Sequence, residues 1–381
     1  MAAMAEPLDA VVLVQNVDIY YFAGTYQTCH LLIPRSGEPR LLVRRVFYRA
    51  KQDSPLGDVK EFRSLKDLPG EIESLCGPRP WRIGMELDVL PARTLDHYRG
   101  IFGESVSIRD ASEAVLRVRS VKSEWELSRI REASSVVAKV FASLPEFLED
   151  DLSTHQLQAI LDCRIRLAGH PGIVRMRGFN IECSLGTVVS GPTGAAPSPS
   201  VFPVGGTGID LAWPSGGDGE RIRPDTPILC DYLGCEGGYY ADQTRVAVKG
   251  RLTDEAGKIY AAMFEILRHC ERTVRVGSIP SRVYVEAVAM ARDAGFATGF
   301  MGLSGHAVPF VGHAVGLEVN ETPVLAPKFD EPLPAGTVLA IEPKFTHPEL
   351  GVIGLENTYV VRADRLECLT PLPETVTIVG R

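Results

Sequence analysis

Five residues in this 381-residue chain have types and spacings suited to holding cations: Asp231, Asp242, His313, Glu342 and Glu356. The first two lie in residues 230–242, where Glu236-Gly237 reads as a hairpin turn. A turn there sets Asp231 directly opposite Asp242, and like charges so close on one face destabilise a sheet unless something positive sits between them. The apolar neighbours Ile228, Leu229, Val246 and Val248 argue against a solvated, exposed hairpin. Glu342 ends the apolar run 338–341, and Glu356 stands near the start of the run that reaches Val361. A loop centred on Glu349 places these two opposite each other, and a lone ionised carboxylate is costly to bury in such strands. His313 sits in Val311-Gly312-His313-Ala314-Val315-Gly316-Leu317. By itself it would be a packed core histidine; beside four carboxylates it reads as a ligand. Four carboxylates and one imidazole suit a pair of divalent ions of the Mn, Zn or Co type. Two such ions roughly 3.5–4 Å apart can share a hydroxide and polarise a carbonyl together.

These side chains need strands to carry them and helices to cover the strands. The expected strand pairs are 226–234 with 238–248 and 337–343 with 354–361. Ser123 and Glu126 form a capping box that opens an amphipathic helix, with Trp125, Ile130, Ala133, Val137, Val140, Phe141 and Leu144 as its apolar stripe. A second helix follows Ser153, with Gln156 in the box position and Gly169 as the stop, and two more span 254–274 and 281–294. Helices grouped against antiparallel pairs make an α+β domain. Upstream, strands at 10–14, 30–33, 40–46 and 81–85 alternate with helical stretches such as 90–98, which gives a small α/β domain. The boundary falls near 118–123, for domains of 1–120 and 121–381. The Gly/Pro/Ser-rich stretch 190–219 reads as loop that carries substrate contacts.

Composition excludes several classes. With 40 Lys+Arg against 48 Asp+Glu the net charge is −8, without the basic footprint of a nucleic-acid binder. No apolar run has the length of a membrane span, and the acidic N-terminus does not read as a secretory signal. Eight scattered cysteines without a CxxC pair fit reduced thiols in a cytoplasmic enzyme.

The order Asp, Asp eleven residues on, Gly-His-x-x-Gly-Leu, Ile-Glu-Pro and a final Glu resembles the pita-bread metallohydrolases, the family of methionine aminopeptidase, aminopeptidase P, prolidase and creatinase. Asn16-Val17-Asp18-Ile19-Tyr20-Tyr21-Phe22-Ala23-Gly24 is similar to the strand-and-turn motif of the N-terminal domain in the prolidase and creatinase branch. Ile83-Gly84-Met85-Glu86 and residues 116–126 match the end of that domain and its linker. The resemblance implies an α/β N-terminal domain plus an α+β pita-bread catalytic domain. It implies that Asp231 and Asp242 bind one of two divalent ions, manganese first, with Asp242 also reaching the second. His313 and Glu342 would complete the second ion, and Glu356 would bridge both. It further implies Xaa-Pro aminopeptidase or dipeptidase chemistry, in which a metal-bridging hydroxide attacks the carbonyl of a C–N bond. Relatives with this N-terminal domain are usually homodimers, so a homodimer acting on a small peptide or small molecule is expected.

The departures from the family lie where substrate is handled. Asn320 stands where the peptidases place a His seven residues after the ligand His, and Ser198 stands nearest the position of a second His. Gly354 replaces an Arg two residues before the last Glu. His306 is a candidate to cover the missing role. Three readings follow: a diverged peptidase, a metallohydrolase or lyase acting on a small non-peptide substrate, and a pseudoenzyme used for binding.

Overall fold

The computed structural model describes residues 7–148 and 151–380. The chain divides into two units, one of residues up to Arg119 with Gly178–Asn180, the other of Ser120–Arg177 with Ile181 onward.

In the N-terminal unit, short β-rich runs build a six-stranded sheet in the order Asp58–Glu61, Arg40–Val43, Cys29–Pro34, Ala10–Leu13, Trp81–Met85, Val106–Asp110. The middle pairings are antiparallel and the outer ones parallel. Alternate residues of one strand feed opposite cores, Val11 and Leu13 on one face and Ala10 and Val12 on the other, as a sheet covered on both sides requires. Residues 16–24, expected as strand and turn, instead form the helix Asn16–Ala23. The Gln15 side chain caps it by accepting the Asp18 N–H, and Gly24 ends it at a φ of 73°. Aromatic and β-branched residues look strand-like over so short a stretch; the caps decide the outcome.

A buried polar group lies beneath this helix. Asp18 pairs with Arg119 at 2.7 Å, both side chains out of contact with water. Glu86 accepts the backbone N–H groups of Val14 and Gln15. Burial, with the charge of Asp18, raises the Glu86 carboxyl from its ordinary 4.5 to about 8, against the pull of those N–H groups. The folded chain therefore keeps a proton that the unfolded chain releases, so this contribution is full below pH 4.5 and is lost as pH rises towards 8. Glu86→Gln removes the titration. Denaturant unfolding of variant and wild type across that window should show the variant gaining on the order of a few kcal/mol relative to wild type as pH rises. Parallel pH profiles would contradict the assignment.

In the C-terminal unit the capping boxes form as expected. Ser123 and Glu126 open the helix Glu124–Phe141, and Ser153 and Gln156 open Thr154–Leu167. Ile130, Ala133, Val137, Val140, Phe141 and Leu144 are buried, but Trp125 is 58% exposed and leaves the expected stripe. It lies in the first turn, where its ring meets Tyr239 edge-on. The helices Asp254–Thr273 and Pro280–Asp293 cover the remaining core. Two principal sheets carry the candidate ligands. One runs Thr377–Val379, Tyr239–Lys249, Pro227–Glu236, Gly186–Ser190; the other runs Glu321–Val324, Gly312–Ala314, Val338–Ile341, Asn357–Val361, Leu366–Cys368. The short hairpin Lys344–His347 with Gly351–Gly354 forms a separate two-stranded sheet. The fold class expected from the sequence is the one observed.

One register differs. The first hairpin turns at Gly237-Gly238, not Glu236-Gly237, and both glycines take positive φ, 57° and 85°. A tight two-residue turn twisted to match its strands requires positive φ at both positions, which Gly-Gly supplies without strain. The shift sets Asp231 opposite Thr244 and Asp242 opposite Leu233, so the two acids are diagonal neighbours on one face rather than a direct pair.

No helix among the described residues is long and apolar enough to cross a membrane. All eight cysteines are free.

Candidate metal centre

Five strands bring the five candidate ligands together: Asp231, Asp242 and His313 lie within strands, Glu342 directly follows Val338–Ile341, and Glu356 directly precedes Asn357–Val361. Thr244, on the face of Asp231 and Asp242, bridges to Glu356 through the backbone, and its Oγ1 donates to Glu356 Oε2 at 2.8 Å. Thr358 fastens the backbone of Asp242 twice, accepting its N–H and donating to its carbonyl, each at 2.9 Å. Glu342 and Glu356 fall opposite each other in the register shared by the flanking pairs Ile341–Asn357 and Lys344–Gly354. His313 lies across from Ala340 on the next strand.

A sixth residue stands among them. Lys344 Nζ lies 3.2 Å from Asp231 Oδ2, 2.5 Å from Glu342 Oε2 and 2.7 Å from Glu356 Oε2, and its side chain is 1% exposed. Burial alone would lower its pKa, but Asp231, Glu342, Glu356 and Asp242 together hold it well above the ordinary lysine value. Burial raises the carboxyls of Asp231 and Glu356, an effect that Lys344 opposes. It raises Asp242 furthest, with Glu356 and Asp231 pushing the same way. Lys344 was not among the residues singled out from the sequence. The available signal was its place two residues after Glu342, which puts both side chains on one face of the strand.

Lys344 fits into the sheet through its cross-strand partner. A β-carbon at Gly354 would lie 2.5 Å from the Pro343 carbonyl oxygen, 2.8 Å from Lys344 Cα and 2.9 Å from Lys344 Cγ. Gly354 is what allows the two strands to close around the lysine stem.

The other half of the cluster retains the features of a metal site. Asp242, His313 and Glu356 offer ligand atoms within 4.8 Å of one another. His313 Nε2 lies 3.4 Å from Glu342 Oε1 and 3.8 Å from Asp242 Oδ2. Its Nδ1 faces the Ala314 carbonyl at 3.2 Å, a contact in which Nδ1 would donate and leave Nε2 available as a metal ligand beside two carboxylates. Glu356 Oε1 is buried with no hydrogen-bond partner, although Oε2 of the same group is fully engaged. Ligands held at about 2.1 Å by a tetrahedral ion are roughly 3.4 Å apart. A ring nitrogen and an orphaned carboxylate oxygen converging at these separations fit one divalent ion held by Asp242, His313, Glu342 and Glu356.

A cavity of ≈310 Å³ opens on this cluster, with Asp231, Asp242, His313 and Glu342 in its wall. Met176, Phe202, Trp213, Phe310 and Val319 make much of the rest, so the 190–219 loop contributes to it. Glu182 is there too, and no lysine or arginine is among the described lining residues. Of the three candidate catalytic residues, only Asn320 lines the cavity; Ser198 and His306 are absent from its wall. His306 is exposed, and the Ser198 hydroxyl accepts the Ser200 N–H. Asn320 is committed elsewhere as well, because its amide donates to the Arg177 carbonyl and accepts the Arg177 N–H, each at 2.7 Å. It fastens the segment around Arg177 to the cavity wall.

With this geometry in place, comparison with known proteins gives the class. The model of metallopeptidase family M24 matches residues 128–363, more than half of the chain, and that of the creatinase/prolidase N-terminal domain matches residues 2–121. The chain belongs to metallopeptidase family M24; it is a metallopeptidase-type hydrolase with a creatinase-type N-terminal domain and the pita-bread fold, and membership implies divalent metal ions. It is 23% identical over 382 residues to the probable dipeptidase PepE of Mycobacterium tuberculosis, covering 98% of this chain and 92% of the relative. It is 22% identical to the Xaa-Pro dipeptidase of Pyrococcus horikoshii, covering 95% and 93%. The crystal structure of an X-Pro aminopeptidase from Thermotoga maritima superposes with a TM-score of 0.81 at 22% identity, covering 98% of both chains.

Proposed function

We propose that this chain is a metal-dependent Xaa-Pro peptidase that removes an N-terminal residue from short peptides. The observation that carries it is the convergence of Asp242, His313, Glu342 and Glu356, three of which line a largely apolar cavity, in a chain of the M24 family. A divalent ion there supplies Lewis-acid activation of water and of the scissile carbonyl. The chain's own residues do the rest. The aromatic wall takes up apolar side chains and proline and keeps bulk water away from the reacting bond. Glu182 lines the cavity and no lysine or arginine among the described residues does, which suits a substrate presenting its ammonium end rather than its carboxylate. Asn320 holds the wall through Arg177, a positioning role.

Carboxylate oxygens with a single imidazole favour manganese, with zinc or cobalt able to replace it. Eight free cysteines support a cytoplasmic location. A homodimer is carried over from the family resemblance, and neither nucleic acid nor membrane is expected as a partner, the net charge being −8.

The test is a kinetic comparison of Xaa-Pro dipeptides with Xaa-Pro-Xaa tripeptides, N-methylated amino acids and small amides, using Mn²⁺-loaded protein. The expected result is cleavage of the Xaa–Pro bond that chelator abolishes and Mn²⁺ restores, with tripeptides favoured. Turnover of the small amides by metal-loaded protein that leaves every Xaa-Pro peptide intact would overturn the reading.

A further inference from the structure

We propose that Lys344 is a built-in second cation, so that this centre takes one divalent ion per chain where the family resemblance leads one to expect two. The inference deepens the metallopeptidase reading and rests on it for the presence of the first ion.

The cation places are separated oxygen by oxygen. Asp231, expected to ligate the first ion, turns Oδ2 to Lys344 Nζ. Glu342 gives Oε2 to the ammonium and points Oε1 at His313 Nε2. Glu356 likewise gives Oε2 to the ammonium and leaves Oε1 buried and unpartnered. Two carboxylates thus each split their oxygens between Lys344 on one side and the Asp242–His313 pocket on the other. An ion bound to Asp231, Glu342 Oε2 and Glu356 Oε2 at the roughly 2.0–2.2 Å of metal–carboxylate bonds would occupy the space that the ammonium fills. The lysine is not an adaptable surface group swung inwards: its side chain is 1% exposed, and its stem is seated against a position where a β-carbon would collide with it. A lysine of ordinary basicity is cationic at neutral pH, so three of the four carboxylates meet positive charge before any metal arrives.

The test counts ions. Wild-type protein is loaded with excess Mn²⁺, desalted and examined by elemental analysis and electron paramagnetic resonance. The expected result is one Mn²⁺ per chain with the spectrum of an isolated ion. Lys344→Gly, which removes the ammonium and its stem, should raise the count to two and give the broadened spectrum of coupled ions. Two ions per chain in the wild type, or a folded Lys344→Gly that still takes up one, overturns the inference. Should Lys344→Gly fail to fold, the wild-type count and spectrum decide alone. A count of zero overturns both this inference and the metal dependence. One ion per chain without cleavage of any Xaa-Pro peptide supports the inference and overturns the peptidase reading, so the two failures are distinct.

Discussion

Replacing His313 by alanine is expected to lower kcat/KM for an Xaa-Pro peptide by at least about a thousandfold, because a Lewis-acid ion contributes several kcal/mol of transition-state stabilisation. His313 is the one nitrogen donor in the cluster, and its Nε2 faces Asp242 and Glu342. Its other nitrogen bonds only to the neighbouring Ala314 carbonyl, so removing the ring leaves the sheet pairing of Gly312–Ala314 intact. The fold should persist while bound metal drops, which elemental analysis and near-UV circular dichroism check together. A His313→Ala protein that loses its metal yet keeps activity within about tenfold of wild type would show that hydrolysis runs elsewhere.

The second large effect concerns stability. Lys344→Met keeps most of the stem's volume and deletes the charge, leaving Asp231, Glu342 and Glu356 facing one another without their cation. Removing one partner from a buried ionic cluster costs about 3–5 kcal/mol. For a unit of this size that is a fall in Tm of roughly 10 °C in chelator-treated protein at neutral pH. Added Mn²⁺ should recover part of the loss. A metal-free Lys344→Met protein that melts within about 2 °C of wild type would mean that the carboxylates do not depend on the lysine.

Signals that depend on few neighbours were legible in the sequence. Ser123 with Glu126 and Ser153 with Gln156 mark helix starts because a capping box is a closed set of hydrogen bonds within four residues. The register of Glu342 against Glu356 was readable because a single turn sets it. The Asp231–Asp242 register was misread by the choice between Glu236-Gly237 and Gly237-Gly238, a one-residue matter that moves the pairing by two. Residues 16–24 were read as strand and turn through the family resemblance, whereas the Gln15 cap and Gly24 at positive φ close a helix there. Asn320 shows a different limit: the sequence revealed a changed residue type, but its bond to Arg177 spans 143 residues. Lys344 escaped notice because a lysine beside a proline suggests surface, and its burial depends on acids from three separate strands.

The facing pair Lys344 and Gly354 also constrains how such a centre could be reached or reversed by single changes. Position 354 must be glycine for these strands to close at all, because a β-carbon there meets the backbone of 343 and 344 before it meets the lysine stem. The return path does not run through 354, since a β-carbon there would still meet the Pro343 carbonyl oxygen at 2.5 Å and the Cα of residue 344 at 2.8 Å whatever side chain 344 carries. Shortening 344 strands three acids unless a metal ion is at hand to replace the lost charge. An engineer seeking to convert this centre must therefore keep the glycine at 354 and change 344 alone, in a medium that supplies the ion.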